Sequence, residues 1–191
     1  MVPVVERTQE QTRIPTKKIV LYVAFASIMM MFAGLTSGYI LRWSEGNWDA
    51  FAIPSAFYIS TGIIIASSLS MWWAQQAAKK DHLQNIKSWM TITTLLGLSF
   101  VISQYLGYNQ LVNMGVYFSG GNISGSFFYV ITALHAAHVL GGIIALLVTT
   151  VKSYFGKYTS NNRLGIQLCA NYWHFMGFLW LFLFVFLAVT R

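Results

Sequence analysis

The sequence predicts an all-α integral membrane protein, a bundle of five transmembrane helices with a cytoplasmic N-terminus and the C-terminus outside. Its 191 residues are 56% hydrophobic and only 9% charged, whereas about a quarter of a soluble domain is charged. Five apolar stretches lack Asp, Glu, Lys and Arg, and each can cross the roughly 30 Å hydrocarbon core of a bilayer. They are residues 19–41, 54–74, 89–112, 125–151 and 168–190.

Residues 1–18 are predicted to form a cytoplasmic tail, and residues 19–191 a single five-helix membrane domain. The first apolar stretch is longer than the roughly 7–15 residues of a signal-peptide core, so we expect it to remain in the mature protein. Within this stretch Gly34 and Gly38 lie four residues apart. That spacing is typical of helices that approach another helix closely.

Tryptophans mark the ends of the second and third predicted helices. Trp72 and Trp73 close the second, and Trp89 opens the third; tryptophan is enriched where a membrane meets water. A transporter or channel would need polar groups that converge at mid-membrane, and the third helix offers few of them. They are Ser103, Gln104 and Asn109.

Small residues follow one another at four-residue steps along the fourth predicted helix: Ala133, Ala137, Gly141 and Ala145. Such a ladder favours close contact with another helix, in this chain or in a partner. His135 and His138 lie on the same helix, and His138 is on the flank of the ladder. We therefore expect His138, rather than His135, to face a packed helix.

Aromatic side chains cover the fifth predicted helix nearly all round. Tyr172, Trp173 and Trp180 are among them, and His174 lies near the start. Bulky apolar surfaces of this kind are typical of contact with lipid or with another apolar helix. A pathway for quinone or oxygen is the alternative, which aromatic residues alone do not distinguish.

The basic residues are divided unequally between the two ends of the helices. Ten of the twelve lie in the N-terminal tail and in the second and fourth loops, against Arg42 and Arg191 on the other side. The positive-inside rule places the richer side in the cytoplasm. The net charge of +7 is therefore a signal of topology, and no nucleic-acid partner is expected.

The five stretches contain no carboxylate, so no catalytic residue is predicted. Three histidines could in principle ligate copper, zinc or haem: His135, His138 and His174. On helical spacing His138 and His174 differ in depth by about 10 Å, so we expect hydrogen bonds to neighbouring helices and no metal site. A small haem-binding electron carrier stays an alternative. The lone Cys169 excludes a disulfide scaffold.

The strings TALHAAHVLGG and NYWHFMGFLWLFLFV closely resemble subunit III of the haem-copper respiratory oxidases. Ser27 to Gly34 in the first helix also resemble the family's pattern, as do Leu96, Gly97, Phe100, Gln104 and Tyr108 in the third. Five helices with the N-terminus inside resemble the short bacterial form. The matching positions in the last two helices are Gly125, Ser126, Thr132, His135, His138, Val139, Gly141, Tyr172, Trp173, His174, Phe175, Trp180, Leu181, Phe182 and Leu183.

The resemblance implies an accessory subunit III of a proton-pumping cytochrome c oxidase in the bacterial inner membrane, with a quinol oxidase as the alternative. Its expected partners are oxidase subunits I and II, which carry the haems and copper, together with membrane lipids and a larger respiratory supercomplex. No cofactor is expected in this chain apart from bound phospholipid. On this interpretation His135, His138, Trp173 and His174 line a lipid-filled cleft, and Tyr172 and Trp180 pack beside it. The small residues of the first and fourth helices either dock on another helix or close the bundle.

Four positions depart from the resemblance, because acidic residues of the family are neutral here. Ile28 and Gly107 replace glutamates of the first and third helix motifs, and Gln167 and Gly177 stand where some members carry Glu and Asp. Any role of those carboxylates in proton delivery cannot be performed by the same groups in this chain.

Overall fold

The computed structural model describes residues 16–46, 51–118, 123–158 and 162–190. This part of the chain forms five α-helices and no strand: α1 (Thr16–Ser44), α2 (Ser55–Lys79), α3 (Leu83–Asn113), α4 (Ile123–Tyr154) and α5 (Leu164–Val189). All five are long and apolar enough to cross a membrane. The prediction of an all-α membrane protein with five spanning helices is therefore confirmed.

The helices extend beyond the apolar stretches that predicted them. α1 begins at Thr16, so Lys17 and Lys18, expected in the tail, are helical, whereas residues 1–15 lie outside the described residues. Lysine stems can lie along apolar surface while their ammonium groups reach water, which allows these ends to continue as helix. Pro54, expected as the first residue of the second span, instead precedes α2 as its N-cap, with an extended backbone.

Glycines end α3 and α4. Gly115 and Gly156 have φ of 77° and 66°, a conformation that other residues seldom adopt. The following amides then fold back on the helix, with Val116 N donating to the Leu111 carbonyl at 3.0 Å. This arrangement satisfies carbonyls that would otherwise lack partners at a helix end.

Helices α2, α3, α4 and α5 pack side by side as a closed ring, in which α2 also contacts α5. Short connections make successive neighbours antiparallel. α1 lies outside the ring, and among the described helices it contacts only α4 and α5. In its most apolar window 17% of residues are buried, against 39% in each of the other helices, so the ring forms the core and α1 is an attached helix.

Aromatic rings fill the centre of the ring of four helices. Phe57, Phe100 and Trp180 are almost completely buried. The Trp180 ring stacks with Phe57 at 6.2 Å and meets the edge of Phe100 at 5.4 Å. Such pairs contribute about 0.5–1.5 kcal/mol each beyond the area that they bury. In a bilayer, where lipid is as apolar as the core, this close packing is a principal source of helix association.

Candidate functional site

His135 lies in the interior of the bundle, with only 1% of its surface exposed. Its Nε2 lies 3.1 Å from the Met176 carbonyl oxygen of α5, and because a carbonyl only accepts, Nε2 donates. The imidazole also lies against Phe100 and Trp180, at 6.2 and 5.1 Å between ring centres. His135 therefore links α4 to α5 through a buried hydrogen bond, and its Nδ1 has no partner in the described part of the chain.

Trp173 contacts all three other helices of the ring. Its Nε1 donates to Ser67 Oγ of α2 at 2.9 Å. The indole lies against two glycines: a Cβ built at Gly97 of α3 would be 2.9 Å from it, and one at Gly142 of α4 would be 3.3 Å from it. The glycines thus make room for the indole. Sequence analysis did not predict this contact: Gly97 was noted only as a motif position, and Gly142 only as part of the string TALHAAHVLGG.

Trp180 makes a second bond of the same kind two turns further along α5. Its Nε1 donates to Thr61 Oγ1 of α2 at 3.0 Å. Two bonds near Thr61 join α2 to α3. Gln104 Nε2 of α3 donates to Ser60 Oγ at 2.9 Å. Ser103 Oγ of α3 donates to the Ala56 carbonyl at 2.9 Å. Two of the three polar residues noted in the third predicted helix, Ser103 and Gln104, therefore join α3 to α2, whereas Asn109 is exposed.

His138 is directed towards α1. It is half-buried, its ring meets Phe32 of α1 at 6.1 Å, and its Nδ1 lies 2.7 Å from the Leu134 carbonyl of its own helix. The Tyr172 hydroxyl donates to the His138 carbonyl at 2.9 Å. His138 was expected, rather than His135, to face a packed helix. Its ring does lie against α1, but His135 is the more deeply buried of the two, because the face of α4 that enters the ring carries His135.

His174 occupies a third location. It is half-buried and lines a shallow groove of about 250 Å³ between α2 and α5, with Ile65, Ser68 and Phe178 among its neighbours. The three histidines thus face the interior, α1 and the α2–α5 groove. Within the described ranges, no group of three or more His, Cys, Asp or Glu side chains is placed to hold a metal ion.

These placements correct the expected shared cleft. His135 and Trp173 are buried among helices, so neither can line a lipid-filled opening together with His138 and His174. A larger apolar groove of about 600 Å³ lies elsewhere, between α1 and α5. Its lining includes Met29, Phe32, Ile40, Phe175, Phe178 and Phe182. Trp173 and His135 consequently serve packing. Phe175 and Phe182, which line the larger groove, belong to the family motif but were not among the residues expected to line a cleft.

The small-residue ladder of α4 faces outward. Ala133, Ala137 and Gly141 are exposed, and Ala145 is half-buried. The ladder therefore does not close the bundle within this chain, contrary to one of the two expectations for it. Its surface is open to lipid or to another chain.

The glycine pair of α1 is also loosely surrounded. A Cβ at Gly34 would have nothing within 4 Å, and one at Gly38 would meet only Phe127 of α4, at 3.8 Å. At neither position does a neighbouring atom lie close enough to require glycine. The short spacing motif therefore did not identify a tight helix contact in the described chain.

The positions that depart from the resemblance have different surroundings. A Cβ at Gly107 would lie 2.7 Å from the Phe57 ring, and one at Gly177 would lie 3.1 Å from Ser68 Oγ. Phe57 thus occupies the space that a side chain at position 107 would need. Ile28 is buried, at 8% exposure, and Gln167 lines a polar pocket at the end of the bundle.

Comparison with known proteins gives one consistent result. Residues 42–189, from the end of α1 to the end of α5, match the family model for cytochrome c oxidase subunit III. A probable cytochrome c oxidase subunit 3 from Nocardia farcinica is 31% identical over 176 residues, or 87% of this chain and 84% of that protein. The Corynebacterium diphtheriae cytochrome c oxidase subunit 3 is 32% identical over 82% of this chain and 80% of its own.

The mammalian relative from Oryctolagus cuniculus is matched over less than half of its length. Its cytochrome c oxidase subunit 3 is 32% identical over 130 residues, which are 66% of this chain but 47% of that protein. All three relatives are named for cytochrome c oxidase. The quinol oxidase alternative is therefore not favoured.

Proposed function

The chain belongs to the cytochrome c oxidase subunit III family, and we propose that it is a non-catalytic accessory subunit that packs against oxidase subunits I and II. Membership of the family makes it a multi-pass membrane component of a respiratory oxidase complex. In this proposal the partner subunits hold the haems and copper, reduce oxygen to water and translocate protons. This chain supports them by packing and by binding lipid.

One observation carries the non-catalytic role: the motif side chains with useful chemistry are engaged in holding helices together. Trp173 and Trp180 donate to hydroxyls of α2, and His135 donates to a carbonyl of α5. Each bond joins two helices within an apolar interior. Residues used in this way stabilise a rigid surface for a partner subunit.

The rival interpretation, a haem-binding electron carrier, receives no support from the histidine geometry. An axial ligand needs a ring nitrogen with space for a haem beside it. His135 is only 1% exposed and its ring lies against Phe100 and Trp180, so the surrounding side chains already fill that space. The histidines also face three different surroundings.

Lipid is the proposed occupant of the groove between α1 and α5. The groove is lined mainly by aromatic and aliphatic side chains, which suit an acyl chain. Oxygen dissolves preferentially in apolar phases, so a lipid-filled groove of this kind would also give oxygen a route towards a partner subunit. A larger respiratory supercomplex would contact the same exposed surfaces.

We place the subunit in the bacterial cytoplasmic membrane with its N-terminus inside. The division of ten basic residues against two supports this orientation. The neutral residues at positions 28, 107, 167 and 177 support an indirect contribution to proton uptake, through packing and lipid, rather than proton transfer by this chain.

The direct test is the reduced-minus-oxidised visible spectrum of the tagged chain, purified from its native membrane in mild detergent. The measurement is repeated after a harsher detergent has removed the partner subunits. We expect haem bands in the first sample and none in the second. Haem that stays with the isolated chain would overturn the proposal, and absence of haem from both samples would favour a transporter.

Alanine substitutions of the histidines give a second test. His135→Ala removes a buried interhelical hydrogen bond and opens a cavity. It should therefore lower the free energy of unfolding of the subunit by about 2–4 kcal/mol. His138→Ala, at a half-buried site, should loosen packing against α1 by less. Both variants should retain the haem content of the complex, measured from its spectrum, and loss of haem upon His138→Ala alone would contradict the accessory role.

A further inference from the structure

Two buried polar atoms have no hydrogen-bond partner among the described residues: Gln104 Oε1 on α3 and His135 Nδ1 on α4. The two residues are 3% and 1% exposed, so bulk water does not reach either atom. A buried polar atom without a partner costs free energy. Each of these atoms is therefore stabilised if a further group supplies the missing hydrogen bond.

The other polar atom of each side chain is already engaged, which fixes what the unpaired atom can do. His135 Nε2 donates to the Met176 carbonyl at 3.1 Å, so Nδ1 of the neutral imidazole is an acceptor. Gln104 Nε2 donates to Ser60 Oγ at 2.9 Å. That hydroxyl donates in turn to the Phe57 carbonyl at 2.9 Å, so the amide is oriented and its Oε1 also only accepts. Two acceptors cannot bond to each other.

Both acceptors belong to one stretch of the contact between α3 and α4. One turn after Gln104, the Tyr108 hydroxyl of α3 donates to Thr132 Oγ1 of α4 at 3.0 Å. Because the two helices are antiparallel, one turn back on α3 and one turn forward on α4 lead from that bond to Gln104 and His135. On the other side, Phe100 of α3 lies 6.2 Å from the His135 ring. Neighbouring contacts thus place the two acceptors across the same interface.

The surroundings restrict the group that can satisfy both atoms. Phe57, Phe100 and Trp180 are almost completely buried beside them, and Trp180 Nε1 already donates to Thr61. The five helices contain no Asp or Glu, so a cation here would have no counter-charge and would be costly to bury. The group must therefore be small and neutral and must donate twice. Water meets these requirements, and buried waters make two to four hydrogen bonds to polar atoms that otherwise lack partners.

We infer that one buried water molecule joins α3 to α4, donating one hydrogen bond to Gln104 Oε1 and the other to His135 Nδ1. It completes a chain of hydrogen bonds across the ring. The chain starts at the Phe57 carbonyl of α2 and passes through Ser60 to Gln104. Beyond the water it passes through His135 to the Met176 carbonyl of α5. The water thus connects all four helices of the ring, and the inference does not rest on the proposed accessory role.

The first experiment is a cryo-EM map of the wild-type oxidase complex, purified by a tag on this chain, at a resolution that shows ordered water. We expect one water density about 2.7–3.2 Å from both Gln104 Oε1 and His135 Nδ1. Direct contact of the two atoms at that distance would indicate a doubly protonated imidazole, and apolar side chains between them would indicate two unsatisfied acceptors. Either result would overturn the inference.

The second experiment compares maps of two variants. Gln104→Met removes one acceptor and keeps a side chain of similar length. Tyr108→Phe is the matched control, because it removes the neighbouring bond between α3 and α4 and leaves both acceptors in place. The water density should disappear in the first variant and remain in the second. Retention in Gln104→Met, or loss in Tyr108→Phe, would show that the water does not depend on the two acceptors and would reject the site.

A stability measurement tests the same bridge in solution. Gln104→Met or His135→Phe alone leaves the other acceptor buried without its water, whereas the two changes together leave no unpaired acceptor. The fall in unfolding temperature of the double variant should therefore be smaller than the sum of the two single falls. Additive falls would count against a shared water. If a variant does not assemble, the wild-type map still decides the inference.

Discussion

At the residue scale, the buried donors of α5 show how aromatic residues specify neighbours in an apolar environment. Trp173 and Trp180 have the same kind of bond to α2, two turns apart. An indole N–H without a partner would be costly to bury, so each bond favours one rotation of α5 against α2. The aromatic pattern was visible in the sequence, but the acceptors, Ser67 and Thr61, were not.

Replacing Trp173 by phenylalanine tests this interpretation. The change removes the bond to Ser67 Oγ while keeping an aromatic ring, and interhelical bonds in one measured membrane protein average about 0.6 kcal/mol, with a maximum of about 1.7. We expect a loss of stability of that size plus a contribution from the smaller ring, measured by thermal inactivation in detergent. Trp72→Phe, at a 49% exposed position, is the matched control and should change little.

Gly107 offers a second test at a single residue. A Cβ there would lie 2.7 Å from the buried Phe57 ring, so Gly107→Ala should destabilise the subunit by about 1–3 kcal/mol through overpacking. Gly34→Ala, where nothing lies within 4 Å, should be neutral or stabilising because alanine favours helix. Differential scanning calorimetry of the two purified variants compares their unfolding temperatures. Equal unfolding temperatures would contradict the packing shown at position 107.

At the scale of elements, α1 differs from the other four helices. It lies outside the ring, contacts only two neighbours, and leaves a groove of about 600 Å³ against α5. Its contacts include Phe25, which stacks on Phe175 of α5 at 4.2 Å, and Phe32, which meets His138. A few aromatic contacts therefore hold a helix that could not be distinguished from the others by hydropathy.

Because α1 has fewer contacts than the other helices, we predict that it detaches or unfolds locally more readily than α2 to α5. In detergent solution its amides should exchange with solvent deuterium faster than those of α2 to α5, because local stability follows local packing. Hydrogen exchange followed by mass spectrometry measures the order directly. Addition of phospholipid should slow the exchange of α1 selectively if lipid fills its groove, and protection of α1 equal to that of the ring helices without lipid would contradict the prediction.

At the scale of the whole molecule, the orientation in the membrane is the property most directly tied to charge. Lys157 follows α4 at the basic-rich end, and Met114 follows α3 at the opposite end. Cysteines introduced separately by Lys157→Cys and Met114→Cys should be labelled by an impermeant thiol reagent from the cytoplasmic and the outer side, respectively. The native Cys169 is buried, at 6% exposure, so it gives little background. Reversed labelling would reject the proposed orientation.

The amino-acid sequence alone determined the class of protein, the number of spanning helices and the family. Hydropathy is a sum over each helix and depends on no neighbour, so lack of charge over 20 or more residues suffices to predict a span. The motif strings of α4 and α5 carried the resemblance for the same reason, since they can be compared without knowing where any side chain points.

Only the tertiary structure decided which face of each helix is inside. Lipid and core are both apolar, so a membrane helix lacks the polar face that marks the solvent side in a soluble protein. Sequence patterning assigned the ladder at Ala137 to a helix contact in this chain or with a partner, and it assigned His138 rather than His135 to a packed helix. The structure exposes the ladder, buries His135 and leaves His138 half-buried against α1. The slot for Trp173 between Gly97 and Gly142 and the polar pocket lined by the ends of α1, α2 and α5 depend on contacts between distant segments, which arise only when the helices assemble.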